Sequence, residues 1–164
     1  MPLLVIGGLC GILLVLTNQF TATDIQANRE ARTRALLEAM LGQPLPAQTS
    51  ITEAIFGNCE QWLFVRTSSA GYAGPIYLTA LWRAGSSPAQ PGRLSLRVID
   101  HRETPGIGDF IDHTRDPWIT ELDNSNAAAY AHLDAVTGAT ITSNAIRRAA
   151  DRIFNQVEVY CEQQ

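Results

Sequence analysis

The feature that most constrains this chain is an uninterrupted apolar run at its N-terminus. Residues 2–16 contain no charged side chain, and residues 17–20 taper into polar and aromatic ones. A helix needs roughly 17–25 apolar residues to cross a bilayer, so residues 2–20 are sufficient although short. A cleaved signal peptide is the main alternative, but the run has no basic start, and Phe20 stands where a cleavage site requires a small residue. The sequence therefore predicts a single uncleaved membrane anchor over residues 1–22.

A second helical segment is predicted directly after the anchor. Residues 24–40 are rich in strong helix formers, Thr23 or Asp24 can cap their start, and Gly42 and Pro44 end them. We expect this helix to continue the membrane helix as a stalk over residues 23–42.

The remaining residues, 43–164, are enough for one domain with a substantial core. Three runs with strand character follow the stalk: residues 61–66, 75–83 and 93–100. The last of these alternates apolar and polar residues, which is typical of a half-buried antiparallel strand. Residues 85–92 are rich in Gly, Ser and Pro and predict a hairpin loop. An amphipathic helix is predicted over residues 143–157. The predicted fold class is therefore α+β: an N-terminal single transmembrane helix, then one domain with an antiparallel sheet and flanking helices.

Charge and cysteine content argue against two kinds of site. The formal net charge of −4 argues against nucleic acid as a partner. The three cysteines form no CxxC pattern, and no nearby histidine gives a zinc-type spacing, so no metal site is predicted. Cys59 and Cys161 can pair in an oxidising compartment or remain two separate buried thiols, and the sequence leaves both open. Cys10 lies inside the apolar run.

Hydroxyl-bearing and small residues cluster where the last predicted helix begins. They are Asp134, Thr137, Gly138, Ala139, Thr140, Thr142 and Ser143. The N-terminus of a helix presents unpaired N–H groups and a positive dipole end, and both favour a phosphate. Gly138 lets backbone approach closely, while Thr142 or Ser143 can cap the helix or donate to phosphate oxygens. On local pattern alone, a capped helix after a turn is the simpler interpretation, and the P-loop pattern is absent.

A second shaped segment follows the last predicted strand. Its notable residues are Glu103, Thr104, Gly106, Ile107 and Gly108. Pro105 fixes a backbone angle and the glycines permit tight turns, so this loop can present backbone amides to a planar heterocycle. The simpler alternative is an ordinary turn. His101 alone is a poor candidate for a catalytic base, and no catalytic residue is predicted.

Together, the two segments resemble the FMN-binding domain shared by Rnf ion-translocating electron transport complexes and sodium-translocating NADH:quinone reductases. In that family the motif Asp-x-x-Ser/Thr-Gly-Ala-Thr is the site of flavin attachment, and it matches residues 134–140. The family loop Glu-Thr-Pro-Gly-Leu-Gly matches residues 103–108, with Ile107 in place of leucine. His101 and residues 71–76 look more like the G subunits of Rnf complexes than like the C subunits of the quinone reductases. The chain is shorter than the family usually runs, mainly before residue 71.

The resemblance implies FMN held covalently on Thr140 through a phosphoester. A separate, magnesium-dependent flavin transferase would attach it, taking FMN from FAD. The residues of the two segments would surround the cofactor, and Tyr72, Trp118 or Tyr130 could stack on its ring. The chain would then be an electron carrier within a translocating oxidoreductase rather than a stand-alone catalyst.

The resemblance also implies partners and a location. The partners are the other membrane and peripheral subunits of an Rnf-type complex, which couples electron transfer between ferredoxin and NAD to sodium or proton translocation. The location is the bacterial inner membrane, with a single span and the FMN domain on the periplasmic, extracytoplasmic side. Three arginines after the span, Arg29, Arg32 and Arg34, point to the cytoplasm by the positive-inside rule. We follow the resemblance, because long domains translocate largely regardless of charge.

Three alternatives remain open from the sequence. The first is the C subunit of a sodium-translocating quinone reductase. The second is a stand-alone membrane FMN reductase, although the sequence has no nicotinamide-binding signature. The third is a non-enzymatic membrane-anchored adaptor, in which the threonine-rich segment (residues 134–143) is only a helix cap.

Overall fold

The computed structural model describes residues 2–85 and 90–164, with side chains from residue 6 onward. The chain divides into two compact units, Met1–Leu45 and Pro46–Gln164. The predicted hairpin loop covers residues 85–92, and its residues 86–89 lie outside the described ranges.

The first unit is built on one helix, α1 (Pro2–Leu41). The predicted anchor and stalk are thus continuous, and the cap predicted at Thr23 or Asp24 is wrong because the helix runs through both residues. Gly42 ends α1 in the left-handed region, with φ of 78°, and its N–H donates to Glu38 O at 2.8 Å. By length and composition, α1 can cross a membrane, and its apolar side chains from residue 6 to residue 20 are exposed.

The second unit contains a four-stranded antiparallel sheet in the order β1-β2-β3-β4. The strands are β1 (Ile55–Asn58), β2 (Trp62–Ala70), β3 (Pro75–Arg83) and β4 (Arg93–Asp100). The predicted bounds of β3 and β4 are confirmed, and β2 extends four residues beyond its predicted end. Strand β1 escaped prediction because its four residues include Gly57 and Asn58, which are depleted in strands. The α+β class is confirmed.

One face of the sheet packs against the long helix α3 (Thr140–Glu162). The buried residues of this core include Leu63, Val65, Leu78, Ala80, Leu94 and Leu96 from the sheet and Ala145, Ile146, Ala149, Ile153 and Val157 from α3. The predicted apolar face of α3 is therefore confirmed. The helix begins three residues earlier than predicted, at Thr140, so Thr140 and Thr142 lie in its first turn and not in the preceding loop.

A disulfide joins Cys59, in the turn between β1 and β2, to Cys161 in the last turn of α3. The two Cα atoms lie 5.8 Å apart and the residues are 102 positions apart in sequence. The bond ties the chain terminus to the sheet and resolves the alternative that the sequence left open. Cys10 on α1 is free and exposed.

The segment between β4 and α3 contains a short 3-10 turn (Asp109–Ile111) and helix α2 (Ala127–Ala131). Tyr130 is buried, and its hydroxyl lies 3.1 Å from both Leu94 O and Leu122 O. Burial raises the pKa of Tyr130 above its ordinary value. The contacts that hold this segment to β4 include the tyrosine, a bidentate pair between Arg97 and Asp123, and a backbone bridge between Leu94 and Ser125.

Candidate functional site

The two segments selected from the sequence meet at one pocket of about 400 Å³. Its lining comes from the turn between β2 and β3, the loop after β4 and the start of α3. The lining residues are Tyr72, Glu103, Thr104, Ile107, Gly138, Ala139, Thr140, Ile141 and Thr142. Because these three segments are distant in sequence, the pocket forms only when the domain is folded.

The loop over residues 103–108 is a rigid turn. The carbonyl of Thr104 accepts hydrogen bonds from the N–H groups of Ile107 at 3.1 Å and Gly108 at 2.8 Å. Gly106 has φ of 82°, a conformation that residues with a side chain rarely adopt, and its N–H donates to Asp109 Oδ2 at 3.1 Å. The turn leaves the side chain of Ile107 exposed at the pocket.

The loop before α3 is closed by its own hydrogen bonds. The N–H of Ala139 donates to Val136 O at 2.9 Å, and Gly138 has φ of 82°. Ser143 is fully buried; its hydroxyl accepts from the N–H of Val136 and donates to Ala139 O, each at 3.1 Å. Ser143 therefore holds the loop through buried hydrogen bonds to its backbone and does not line the pocket.

The first turn of α3 has no side-chain cap. Its N-cap residue is Ala139, which supplies no side-chain acceptor. The cap predicted at Thr142 or Ser143 is therefore wrong, because both lie inside the helix. The early N–H groups of a helix have no intrahelical acceptor, so this helix end suits an anion.

The threonines of the two segments occupy different environments. Thr140 is the first residue of α3, and it is exposed and lines the pocket. Thr142 is buried, and its hydroxyl donates to the carboxylate of Glu103. Thr137 is exposed but lies outside the pocket lining, whereas Thr104 is exposed and forms part of it.

Glu103 is a buried carboxylate in the pocket wall, with 6% of its surface exposed. Its Oε2 accepts from Thr142, and its Oε1 accepts from the N–H of Ala73 at 3.1 Å. A Cβ placed on Gly71 would lie 2.3 Å from Glu103 Oε1, and one placed on Gly108 would lie 2.3 Å from Glu103 Cβ. The side chain is thus enclosed between two glycines.

The predicted site residues divide into three groups. Those that line the pocket are Glu103, Thr104, Ile107, Gly138, Ala139, Thr140 and Thr142. Those that shape the loops without lining it are Gly106, Gly108 and Ser143. Asp134 and Thr137 are exposed and lie outside the lining.

Exposed apolar side chains rim the pocket. Tyr72, Ile107 and Ile141 expose 72%, 57% and 51% of their surfaces. Of the three suggested aromatic residues, only Tyr72 lines the pocket: Tyr130 is fully buried, and Trp118 packs edge-on against Phe110. Ile141 was not selected from the sequence, although an isoleucine between two threonines at a helix start was a usable signal. Such a rim suits a flat apolar ring.

A larger and more open groove, of about 810 Å³, occurs elsewhere on the second unit. Its lining includes Arg66, Tyr77, His101 and Arg102. It contains no residue of the threonine-rich segment, so the smaller pocket is the better candidate. No group of three or more His, Cys, Asp or Glu side chains that could hold a metal occurs within residues 2–85 and 90–164.

Two groups with shifted pKa values, Asp112 and His113, lie outside the lining of the pocket. Hydrogen bonds from the backbone and hydroxyl of Thr114 lower the pKa of Asp112. Burial lowers the pKa of His113, because it disfavours the charged imidazolium.

Comparison with known proteins finds a family whose matched region contains the two segments of this pocket. A family model described as the FMN-binding domain matches residues 93–155, a range that contains β4, both pocket segments and most of α3. The fold and the site therefore define an FMN-binding domain that follows an apolar helix in the sequence.

Individual relatives specify the family more closely. The G subunit of the ion-translocating oxidoreductase complex from two strains of Pseudomonas aeruginosa is 30% identical, over 85% of this chain and 78% of that protein. The corresponding G subunit from Stutzerimonas stutzeri is 32% identical, over 84% of this chain and 70% of that protein. The chain belongs to the family of G subunits of ion-translocating oxidoreductase complexes, the Rnf G family.

Proposed function

We propose that this chain carries FMN covalently on Thr140, through a phosphoester, and relays electrons within an Rnf-type complex. The observation that carries the proposal is the position of Thr140. Its side chain is exposed, it lines the pocket, and it is the first residue of a helix without a side-chain cap. The competing threonine of the helix, Thr142, has its hydroxyl bound to Glu103.

The pocket fits both ends of the cofactor. A phosphate on Thr140 would lie at the N-terminus of α3, where its oxygens can accept from N–H groups that lack intrahelical partners. The apolar rim of Tyr72, Ile107 and Ile141 matches the flat ring of a flavin. These two properties support FMN over a simple anion, which would need no apolar rim.

Attachment exchanges one phosphorus–oxygen bond for another. The hydroxyl oxygen of Thr140 bonds to the flavin-side phosphorus of FAD, the bond between the two phosphates breaks, AMP leaves, and the hydroxyl proton is released. A threonine hydroxyl is a weak nucleophile, so a separate magnesium-dependent flavin transferase performs this step. FMN, when bound, supplies one- and two-electron chemistry, while the chain holds and shields it.

The names of the relatives support membership of a multi-subunit complex. The partners are then other membrane and peripheral subunits, and the complex couples electron transfer between ferredoxin and NAD to sodium or proton movement. We propose residues 1–22 as the anchor, 23–42 as the stalk and 43–164 as the FMN domain. The fixed cofactor makes the chain a relay rather than a catalyst with its own turnover.

We further propose that the FMN domain lies on the extracytoplasmic side of the inner membrane. Disulfides persist in oxidising compartments and are rare in the cytosol, so the bond between Cys59 and Cys161 supports this side. Alkaline phosphatase fused after Gln164 tests it, since this enzyme needs an oxidising compartment. We expect an active fusion; an inactive phosphatase fusion, paired with an active cytoplasmic reporter fused at the same residue, would contradict the orientation.

The attachment itself is tested by co-expressing the full chain with its flavin transferase. Intact mass and in-gel fluorescence after denaturation are then compared for the wild type, Thr140→Ala and Thr137→Ala. We expect covalent flavin on the wild type and on Thr137→Ala, and none on Thr140→Ala. Fluorescence retained by Thr140→Ala would overturn the acceptor, and a wild type without flavin would favour a membrane-anchored adaptor.

A further inference from the structure

Glu103 connects all three walls of the pocket. One of its oxygens accepts from Thr142 on α3, and the other accepts from the N–H of Ala73 in the turn between β2 and β3. Its own N–H donates to Nδ1 of His101 at 3.2 Å. A single buried side chain thus holds together segments that are 30 and 39 residues away in sequence.

The enclosure of Glu103 leaves its side chain little freedom. At Gly71 and Gly108 an added Cβ would approach Glu103 to 2.3 Å, which is shorter than any ordinary contact. The two glycines form a slot whose width matches the carboxylate side chain. The direction of both oxygens is therefore determined by packing as well as by hydrogen bonds.

The contact with Thr142 determines how the first turn of α3 is oriented. Successive helical residues are rotated by about 100°, so residues two apart point in nearly opposite directions. Thr142 points inward to Glu103, while Thr140 is exposed at the pocket. Ala139 offers no side-chain cap, so the hydrogen bond from Thr142 to Glu103 is a side-chain contact that holds this turn from outside the helix.

We propose that Glu103 is a positioning residue for flavin attachment, acting through Thr142 on the orientation of the Thr140 hydroxyl. This inference rests on the proposed attachment of FMN to Thr140. The carboxylate also holds the backbone next to Tyr72, in the turn between β2 and β3, through the N–H of Ala73. Releasing Glu103 would free both walls, and a displacement of about 1 Å can slow a reaction about 100-fold.

Some substitutions at Glu103 and Thr142 keep the hydrogen bond between them, and others remove it. In Glu103→Gln the amide oxygen can accept from Ala73 N–H while the amide nitrogen donates to Thr142, because a hydroxyl both donates and accepts. Thr142→Ser likewise keeps the hydroxyl. Glu103→Ala removes both bonds, and Thr142→Val removes one bond while keeping the shape of the side chain.

The test measures the rate of flavin attachment to the purified full chain by its transferase, with FAD in excess. We expect Glu103→Gln and Thr142→Ser to react within about threefold of the wild type. We expect Glu103→Ala and Thr142→Val to react about 10- to 100-fold more slowly. The double variant, Glu103→Ala with Thr142→Val, should be no slower than Glu103→Ala alone, because both changes break the same contact.

A matched control separates positioning from general loss of stability. Tyr130→Phe also removes a buried hydroxyl that donates a hydrogen bond, to Leu94 O at 3.1 Å, and Tyr130 does not line the pocket. Tyr130→Phe should lower the melting temperature, as Thr142→Val does, but leave the attachment rate unchanged. Equal attachment rates for Thr142→Val and the wild type would overturn the positioning role. Absence of attachment to the wild type would instead overturn the proposed function.

Discussion

Removing the disulfide should lower the free energy of unfolding by an amount that depends on the length of the loop that the bond closes. Cys59 and Cys161 are 102 residues apart, so their bond restricts most of the second unit when it is unfolded. The loop-entropy relation gives about 16 cal/mol/K for a loop of this length, or about 4.7 kcal/mol at 25 °C. Measured losses for native disulfides are about 2–5 kcal/mol, against a typical total stability of about 5–15 kcal/mol.

The assay is urea unfolding of the full chain in detergent, followed by tryptophan fluorescence. Trp62, Trp82 and Trp118 all lie in the second unit, so the signal reports on that unit. The double variant Cys59→Ala with Cys161→Ala should lose about 2–5 kcal/mol of unfolding free energy. A reducing agent should destabilise the wild type and Cys10→Ala, which keep the disulfide, but not the double variant. Cys10→Ala is the matched control. Equal stability of the wild type with and without reductant would refute the reasoning.

Three further predictions concern the second unit. Gly108→Ala should cost about 1–3 kcal/mol in urea unfolding, because its Cβ would lie 2.3 Å from Glu103 Cβ; an unchanged midpoint would contradict the slot. Tyr130→Phe should cost about 1 kcal/mol in the same assay, because the carbonyl of Leu94 loses a donor; an unchanged free energy would show that water replaces it. Burial lowers the pKa of His113 from 6.5, so the unfolded chain takes up a proton first and stability should fall as the pH drops below about 6.5. His113→Phe should flatten that part of the pH profile, and an identical slope in the variant would exclude His113 as its cause.

Periodicity predicted the elements that bury a regular face. In α3, Ile146, Ile153 and Val157 recur at helical spacing, and all three are buried against the sheet. In β4, Leu94 and Leu96 alternate with exposed or half-buried neighbours, as expected of a strand with one face in the core. Burial of one face dictates these patterns, so they can be recognised without the structure.

The start of α3 could not be predicted from its sequence alone. Serine and threonine are preferred caps, so Thr142 and Ser143 suggested a start near residue 143. Their hydroxyls instead bond to Glu103 and to Ala139 O, contacts that depend on where a distant loop lies and on where the helix actually begins. Tertiary contacts decided the boundary, and it is the boundary that makes Thr140 the first helical residue.

Much of the candidate pocket was recognisable from motifs, and its internal organisation was not. Residues 103–108 and 134–140 are recognisable as motifs in the sequence, and the fold brings residues of both to one pocket. The separate roles of Thr137, Thr140 and Thr142 follow from exposure and hydrogen bonding, which identical side chains in one motif do not reveal. The pairing of Cys59 with Cys161 likewise needed the distance between their Cα atoms.

The central claim is that FMN is attached to Thr140, and peptide mapping tests it most directly. The basic residues are all arginines, so trypsin releases residues 116–147 as one peptide that holds the whole threonine-rich segment. Fragmentation of this peptide, from chain co-expressed with its transferase, should place a mass increase of FMN less one water on Thr140. The same increase on Thr137 or Thr142, or a flavin on any other peptide, would contradict the account.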